Sequence, residues 1–249
     1  MNSSIAPKRR AVVGPLAERQ LALWRAVFEF AECMPGPWKL IGGLMTSVLV
    51  SEHSGLDGPI ARVTKDADVV ADIRTSQRAI RDAVAALRAI GFQVSERSLP
   101  RGMGHRFSRG DIVIDLLAPD NTGTRSDIRT VGPAVTFEAP GTSFALLRSS
   151  PVLVDTAAGT GIINCPDLAG AIVAKSAAAV RDSNPIRHLV DVAMMLAVCT
   201  DRIDLREQLR PGDVRRLRSI TATLNEAWPV LDDAHGSAAR ECFLTLTAE

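Results

Sequence analysis

The sequence predicts an α+β protein, a mixed β-sheet with flanking helices followed by a C-terminal helical domain. Three observations carry that expectation. Short apolar strands interleave with amphipathic helical stretches as far as Leu117, as in a sheet covered by helices. Chain punctuated by Gly and Pro, with short Val and Phe runs, fills 118 to 165. From Pro166 onward the pattern is helical, which places a domain boundary near 165 and divides the chain into 1-165 and 166-249.

The elements follow in order. Residues 16 to 33 place Leu21, Trp24, Ala26, Val27 and Phe30 on one helical face. MPGPW stops that helix, and Trp38 to Ile41 reads as a short buried strand running into Gly42-Gly43, with a second helix over Leu44 to Val50. A loop rich in Gly and Pro over 52 to 63 leads to a strand at Ala67 to Ala71, and Arg74 to Ile90 is a helix closed by Gly91. Phe92 to Ser95 and His105 to Ser108 read as strands flanking a Pro/Gly turn, and Asp111 to Leu117 alternates as a half-buried strand does. The stretch from 118 to 165 permits further strands without specifying their register. Pro166 suits the first turn of a helix reaching Val180, and His188 to Cys199 is a second helical run.

Composition narrows the class of function. A chain of 249 residues with 46% hydrophobic content can bury a real core. With 29 basic and 28 acidic residues, no global field steers it toward a polyanion, so any nucleic-acid contact is local. Cys33, Cys165, Cys199 and Cys242 lie far apart with no CxxC pairing, which excludes a disulfide framework and a zinc ribbon and leaves buried or idle thiols. The basic cluster at Lys8 to Arg10 is followed by a stretch broken by Gly14, Pro15 and Glu18, unlike a signal peptide. No segment approaches the roughly 18 apolar residues of a membrane span. The expectation is a soluble cytoplasmic protein without a membrane partner.

Three pieces carry chemistry. In Thr64-Lys65-Asp66-Ala67-Asp68, the period of two in a strand puts Asp66 and Asp68 on one face, where two converging carboxylates call for a cation. In Asp111 to Leu117, Ile112, Ile114 and Leu116 share one face and Asp115 projects from the other, so that three carboxylates share a metal site if this strand lies beside that of Asp66. Asp111 sits at the strand's start and reads as a turn residue. The third piece is Gly42-Gly43 between a strand and a helix, where absent side chains let a phosphate approach backbone N–H groups. Separately, Leu168, Ala171, Ile172, Lys175 and Ala179 form a helical stripe, so Lys175 lies on an apolar face and needs an anion. A triphosphate is the preferred partner and Asp191 the alternative. Lysine is scarce here, with Lys8, Lys39 and Lys65 the only others.

The order of the pieces, strand, Gly42-Gly43, helix, His53, Gly55, Arg62, Thr64, Asp66, Asp68 and then Asp115, resembles the nucleotidyltransferase superfamily related to DNA polymerase beta, in particular the AbiEii-like toxin branch. The resemblance covers roughly residues 38 to 200. Ser54 interrupts the adjacent His-Gly of the family. The resemblance implies that Asp66, Asp68 and Asp115 hold two magnesium ions, with manganese as a substitute. Gly42, Gly43, Ser47, Arg62 and Lys175 would bind the nucleoside triphosphate. Lys175 and Asp191 match a lysine and an aspartate that follow the catalytic domain in the toxin branch, and Thr64 matches a position phosphorylated in some relatives. The implied activity is transfer of a nucleoside monophosphate to an acceptor hydroxyl, with the 3' end of tRNA as acceptor and a cognate antitoxin as partner. Arg97, Arg101, Arg106 and Arg109 are expected to border the acceptor groove. Two other readings stay open: transfer to a small molecule, as in aminoglycoside nucleotidyltransferases, or to a protein, and a non-catalytic nucleotide-binding module.

Overall fold

The computed structural model describes residues 7–34, 36–55, 57–59, 63–96, 99–123 and 126–248. The chain enters through a strand that the sequence reading did not anticipate, β1 (Arg9–Val12). Helix α1 (Glu18–Cys33) then buries Trp24, Ala26, Val27 and Phe30 of the predicted face and Leu23 besides, while Leu21 is only half-buried. Strand β2 (Trp38–Ile41) runs straight into α2 (Gly42–Ser54). That helix begins two residues earlier than expected because Gly42, at φ +73°, turns the chain from strand to helix without a connecting loop. It also runs past Val50, into the segment expected as loop. Leu44, Met45, Val48 and Leu49 are all buried, so α2 is a central helix rather than a surface one.

Strand β3 (Ala67–Ala71) lies where expected, whereas α3 (Ala79–Ala89) starts later than Arg74. The Asp72 carbonyl accepts from the N–H groups of Thr75 and Ser76, and the resulting turns use up the intervening residues. After β4 (Gln93–Val94), strands β5 (Arg106–Arg109) and β6 (Ile112–Pro119) form a tight hairpin in which Arg109 pairs with Ile112. The stretch left open by the sequence contains β7 (Arg129–Val131), β8 (Ala134–Val135), β9 (Glu138–Ala139), α4 (Thr142–Leu147) and the long hairpin β10 (Ser149–Thr156) and β11 (Gly159–Pro166).

Pro166 ends β11 and does not open the next helix, correcting the expected start. Helix α5 (Leu168–Arg181) is capped by Asp167, whose carboxylate accepts from the Gly170 N–H at 2.9 Å. Helix α6 (Ile186–Ala197) likewise starts before His188, directly after Pro185. Helices α7 (Arg202–Glu207), α8 (Pro211–Ser219), α9 (Thr221–Leu224) and α10 (Asp233–Thr247) complete the described chain.

The larger sheet has the order β2-β3-β6-β5-β4, with β9 also paired to β6. It is mixed: β3 and β9 run parallel to β6, and the other pairs are antiparallel. A second sheet, β1-β10-β11, is mixed as well, and β7 and β8 form a separate ribbon. The protein is therefore a mixed α+β structure. One hydrophobic cluster extends from Ala11 to Leu246 and continues across residue 165. Cys165, Cys199 and Cys242 are buried and Cys33 is exposed, all four as free thiols; burial pushes the Cys165 thiol up to about 12, which keeps it inert. Among the described residues, no helix is long and apolar enough to cross a membrane.

Candidate active site

Strand register builds the site. Ile41 lies opposite Asp68, Asp68 opposite Asp115, and Asp115 opposite Arg106, a single cross-strand row over β2, β3, β6 and β5. All four residues line a cleft of about 700 Å³, a volume typical of small-molecule sites. Asp66, in the bend just before β3, lines the same cleft. The three predicted carboxylates thus share one cavity.

Their electrostatics are unbalanced. Asp68 keeps some surface open to the cleft yet lies deep beneath the surrounding atoms. This burial, with the charges of Asp66 and Asp115, pushes its carboxyl up to about 7. Arg106 supplies the local compensation. Its Nε and Nη2 donate to the two oxygens of Asp115 at 2.9 and 2.6 Å, and Nη2 reaches Asp66 Oδ2 at 3.4 Å. The two-point bond to Asp115 raises the guanidinium above its ordinary value. Sequence reading placed Arg106 at the border of an acceptor groove; it lines the groove beside the cleft and also grips the carboxylates, because the β5–β6 hairpin sets it directly across from Asp115.

Gly42 and Gly43 line the cleft at the start of α2. A Cβ on Gly42 would fall 1.8 Å from Asp68 Oδ2, so the first glycine makes room for a carboxylate. Ser47 does not line the cavity. Its hydroxyl is buried and donates to the Gly43 carbonyl at 3.2 Å, which removes it from the nucleotide-binding set expected from the sequence.

Lys175 of α5 lines the cleft with 5% of its surface exposed, and its Nζ is paired with Asp191 Oδ2 of α6, itself 1% exposed. The structure pairs it with Asp191, one of the two anions expected for it. Asp191 does not line the cleft, so it positions Lys175 rather than meeting a ligand. The end of α5 adds Arg181 and the start of α6 adds Arg187 and His188 to the wall, residues that sequence reading missed because nothing in their local pattern distinguishes them from surface charge. His188 Nε2 lies 3.0 Å from Asp182 Oδ2, yet burial and the nearby Lys175 hold the imidazole down at about 4, so it is neutral at pH 7.

Other expected residues scatter. Arg62 and Arg97 lie outside the described residues. Arg109 bonds Glu29 and stacks over Phe92, a packing role away from both grooves. Arg101 does border a second groove that adjoins the first through His105 and Arg106 and also carries Arg19 and Asp111. His53, near the far end of α2, is outside the cleft lining. Thr64 is 3% exposed and its hydroxyl donates to Asp66, so modification there requires that segment to open.

Carboxylate oxygens around a deficit of positive charge suit a hard divalent ion such as Mg²⁺. Among the described residues, however, no group of three His, Cys, Asp or Glu side chains is disposed around one metal position. Arg106 holds both oxygens of Asp115. The donor set fits a divalent cation in kind, carboxylate oxygens in one cleft with Asp115 held by Arg106. Comparison with protein families, with curated proteins and with solved structures gives no match to this chain.

Proposed function

We propose that the protein is a metal-dependent nucleotidyltransferase of the nucleotidyltransferase fold, moving a nucleoside monophosphate from a nucleoside triphosphate to an acceptor hydroxyl. The observation that carries this reading is the registered pair Asp68 and Asp115, with Asp66 beside them, in a cleft that also holds Gly42, Gly43 and Lys175. Asp66, Asp68 and Asp115 would hold the Mg²⁺ or Mn²⁺ ions. Bound there, such ions supply neutralising charge at the reacting phosphate. Lys175, steadied by Asp191, faces the phosphates together with Arg187 and the N–H groups that open α2. Asp115, released by Arg106, offers an oxygen for the acceptor's proton. The acceptor oxygen bonds to the α-phosphorus, the bond to the bridging oxygen breaks, and pyrophosphate leaves.

The acceptor we favour is RNA, at the 3' end of tRNA, in the manner of a cytoplasmic toxin restrained by an antitoxin. The groove beside the cleft supports a polyanionic acceptor: Arg19, Arg101 and Arg106 line it against the single acid Asp111, which is unsuited to a cationic aminoglycoside. The test is incubation with Mg²⁺, each labelled nucleoside triphosphate and total tRNA, beside the Asp66→Ala, Asp68→Ala variant. Label on RNA that the variant abolishes establishes the activity. The grip of Arg106 on Asp115 favours one second reading, a module that binds nucleotide without transferring it. Retained nucleotide binding with no label on any acceptor would establish that instead.

A further inference from the structure

The cleft contains one feature that neither metal binding nor phosphate binding uses. Phe137, between β8 and β9, opens into it with 41% of its surface exposed. The chain is poor in aromatics, at 4% and with no tyrosine, and Phe137 is the one aromatic among the large exposed hydrophobic residues described. Exposed phenyl surface disfavours the free state unless something covers it. Nor does this ring sit on a loose loop. Its own carbonyl accepts from the Ala118 N–H at 3.1 Å, and the next residue, Glu138, pairs with Ala118 in the sheet. On the other side Thr136, 1% exposed, donates its hydroxyl to the Leu116 carbonyl. The ring is therefore presented to the cavity by backbone fixed to β6, the strand that also carries Asp115.

His105 backs the ring edge-to-face, with centroids 4.9 Å apart and planes at 67°. It also lines the cleft, and it lies next to Arg106 on the side of the carboxylate row away from β3. Burial lowers its pKa, and its buried Nδ1 has no hydrogen-bond partner among the described residues. A neutral imidazole beside a rigid phenyl makes a flat, weakly polar shelf. One cavity thus combines a cationic wall, a carboxylate row and an aromatic shelf.

We infer that Phe137, backed by His105, is the stacking shelf for the base of the bound nucleoside triphosphate. The inference rests on the nucleotidyltransferase reading, which leaves the base without a binding place. A phenyl face is tolerant of base identity, since every base presents a π-face, so the shelf contributes affinity more than choice of nucleotide.

The test measures equilibrium binding, with Mg²⁺ and without RNA, of ATP, GTP, CTP, UTP and inorganic tripolyphosphate to the wild type, Phe137→Ala and Phe137→Trp. In the wild type all four nucleotides should bind at least about tenfold more tightly than tripolyphosphate, in line with the worth of one base stacked on an aromatic ring. Phe137→Ala should lose that advantage while binding tripolyphosphate as the wild type does, which also reports that it is folded; Phe137→Trp should keep it. Nucleotide affinity unchanged in Phe137→Ala overturns the shelf and leaves the nucleotidyltransferase reading standing. Absence of binding by both tripolyphosphate and nucleotides to the wild type overturns both.

Discussion

Arg106 and Asp115 face each other across neighbouring antiparallel strands and share a two-point ion pair, so the site carries its own counter-cation where a metal ligand is expected. The guanidinium and a divalent ion compete for the same carboxylate oxygens. Charge-assisted bonds of this kind are worth roughly 1.5–3 kcal/mol, which an incoming ion must displace. Arg106→Gln should therefore bind Mn²⁺ about tenfold or more tightly than the wild type in a paramagnetic titration. The same variant should melt at a lower temperature without metal and gain more on adding it. Weaker Mn²⁺ binding would show that Arg106 assists the ion.

How much of this was legible follows from how local each signal is. Asp115 projects opposite Ile114 and Leu116 by strand period, whereas Asp66 reaches the cleft that Asp68 lines from the bend before β3, not by the strand period expected of it. The pairing of Arg106 with Asp115 was also within reach, since Gly110 marks a tight turn and counting outward from Arg109 and Ile112 reaches it. Treating the two strands separately hid that register. Arg187, His188 and Phe137 had no such signal: they meet the carboxylates only through the packing of α5 and α6 and the pairing of β9 with β6. Strand β1 pairs with β10, too distant in sequence for any local pattern to reveal.

Gly42 provides a second prediction. Gly42→Ala adds a Cβ where Asp68 Oδ2 now lies and forces an L-residue to φ +73°. The backbone cost alone is about 1–2 kcal/mol. Gly55→Ala is the control, because Gly55 has φ +61° with nothing within 4 Å of the added carbon. Both variants should lose stability in chemical denaturation, but only Gly42→Ala should lose Mn²⁺ affinity. Equal metal binding by the two would show that the carboxylate has another place to go.

His188 predicts a pH dependence. Its folded-state value near 4 lies below the ordinary 6.5, so between these values the unfolded chain holds a proton that the folded chain lacks. Its contribution is complete above pH 6.5 and is lost as pH falls toward 4. His188→Asn removes the titrating group. Stability of the wild type relative to this variant should therefore fall steadily from pH 6.5 to pH 4, as read from denaturant midpoints. A constant difference would mean that the imidazole is not held neutral.

Lys175 and Asp191 allow structure and function to be separated. Both are buried and paired, and removing one partner leaves the other's charge without its counter-ion, at a cost of about 3–5 kcal/mol. Asp191→Ala should therefore be strongly destabilised. Replacing both, as Lys175→Met with Asp191→Leu, exchanges the ion pair for apolar side chains on helices that already give Ile172, Val192 and Met195 to the core, and should recover most of that stability. Recovery of the fold does not restore a cation to the cleft. If Lys175 meets phosphate, the double variant should melt near the wild-type temperature yet bind tripolyphosphate at least tenfold more weakly. If it binds tripolyphosphate as the wild type does, the pair is structural, and the phosphate contact falls to Arg181 and Arg187, the remaining arginines on that wall.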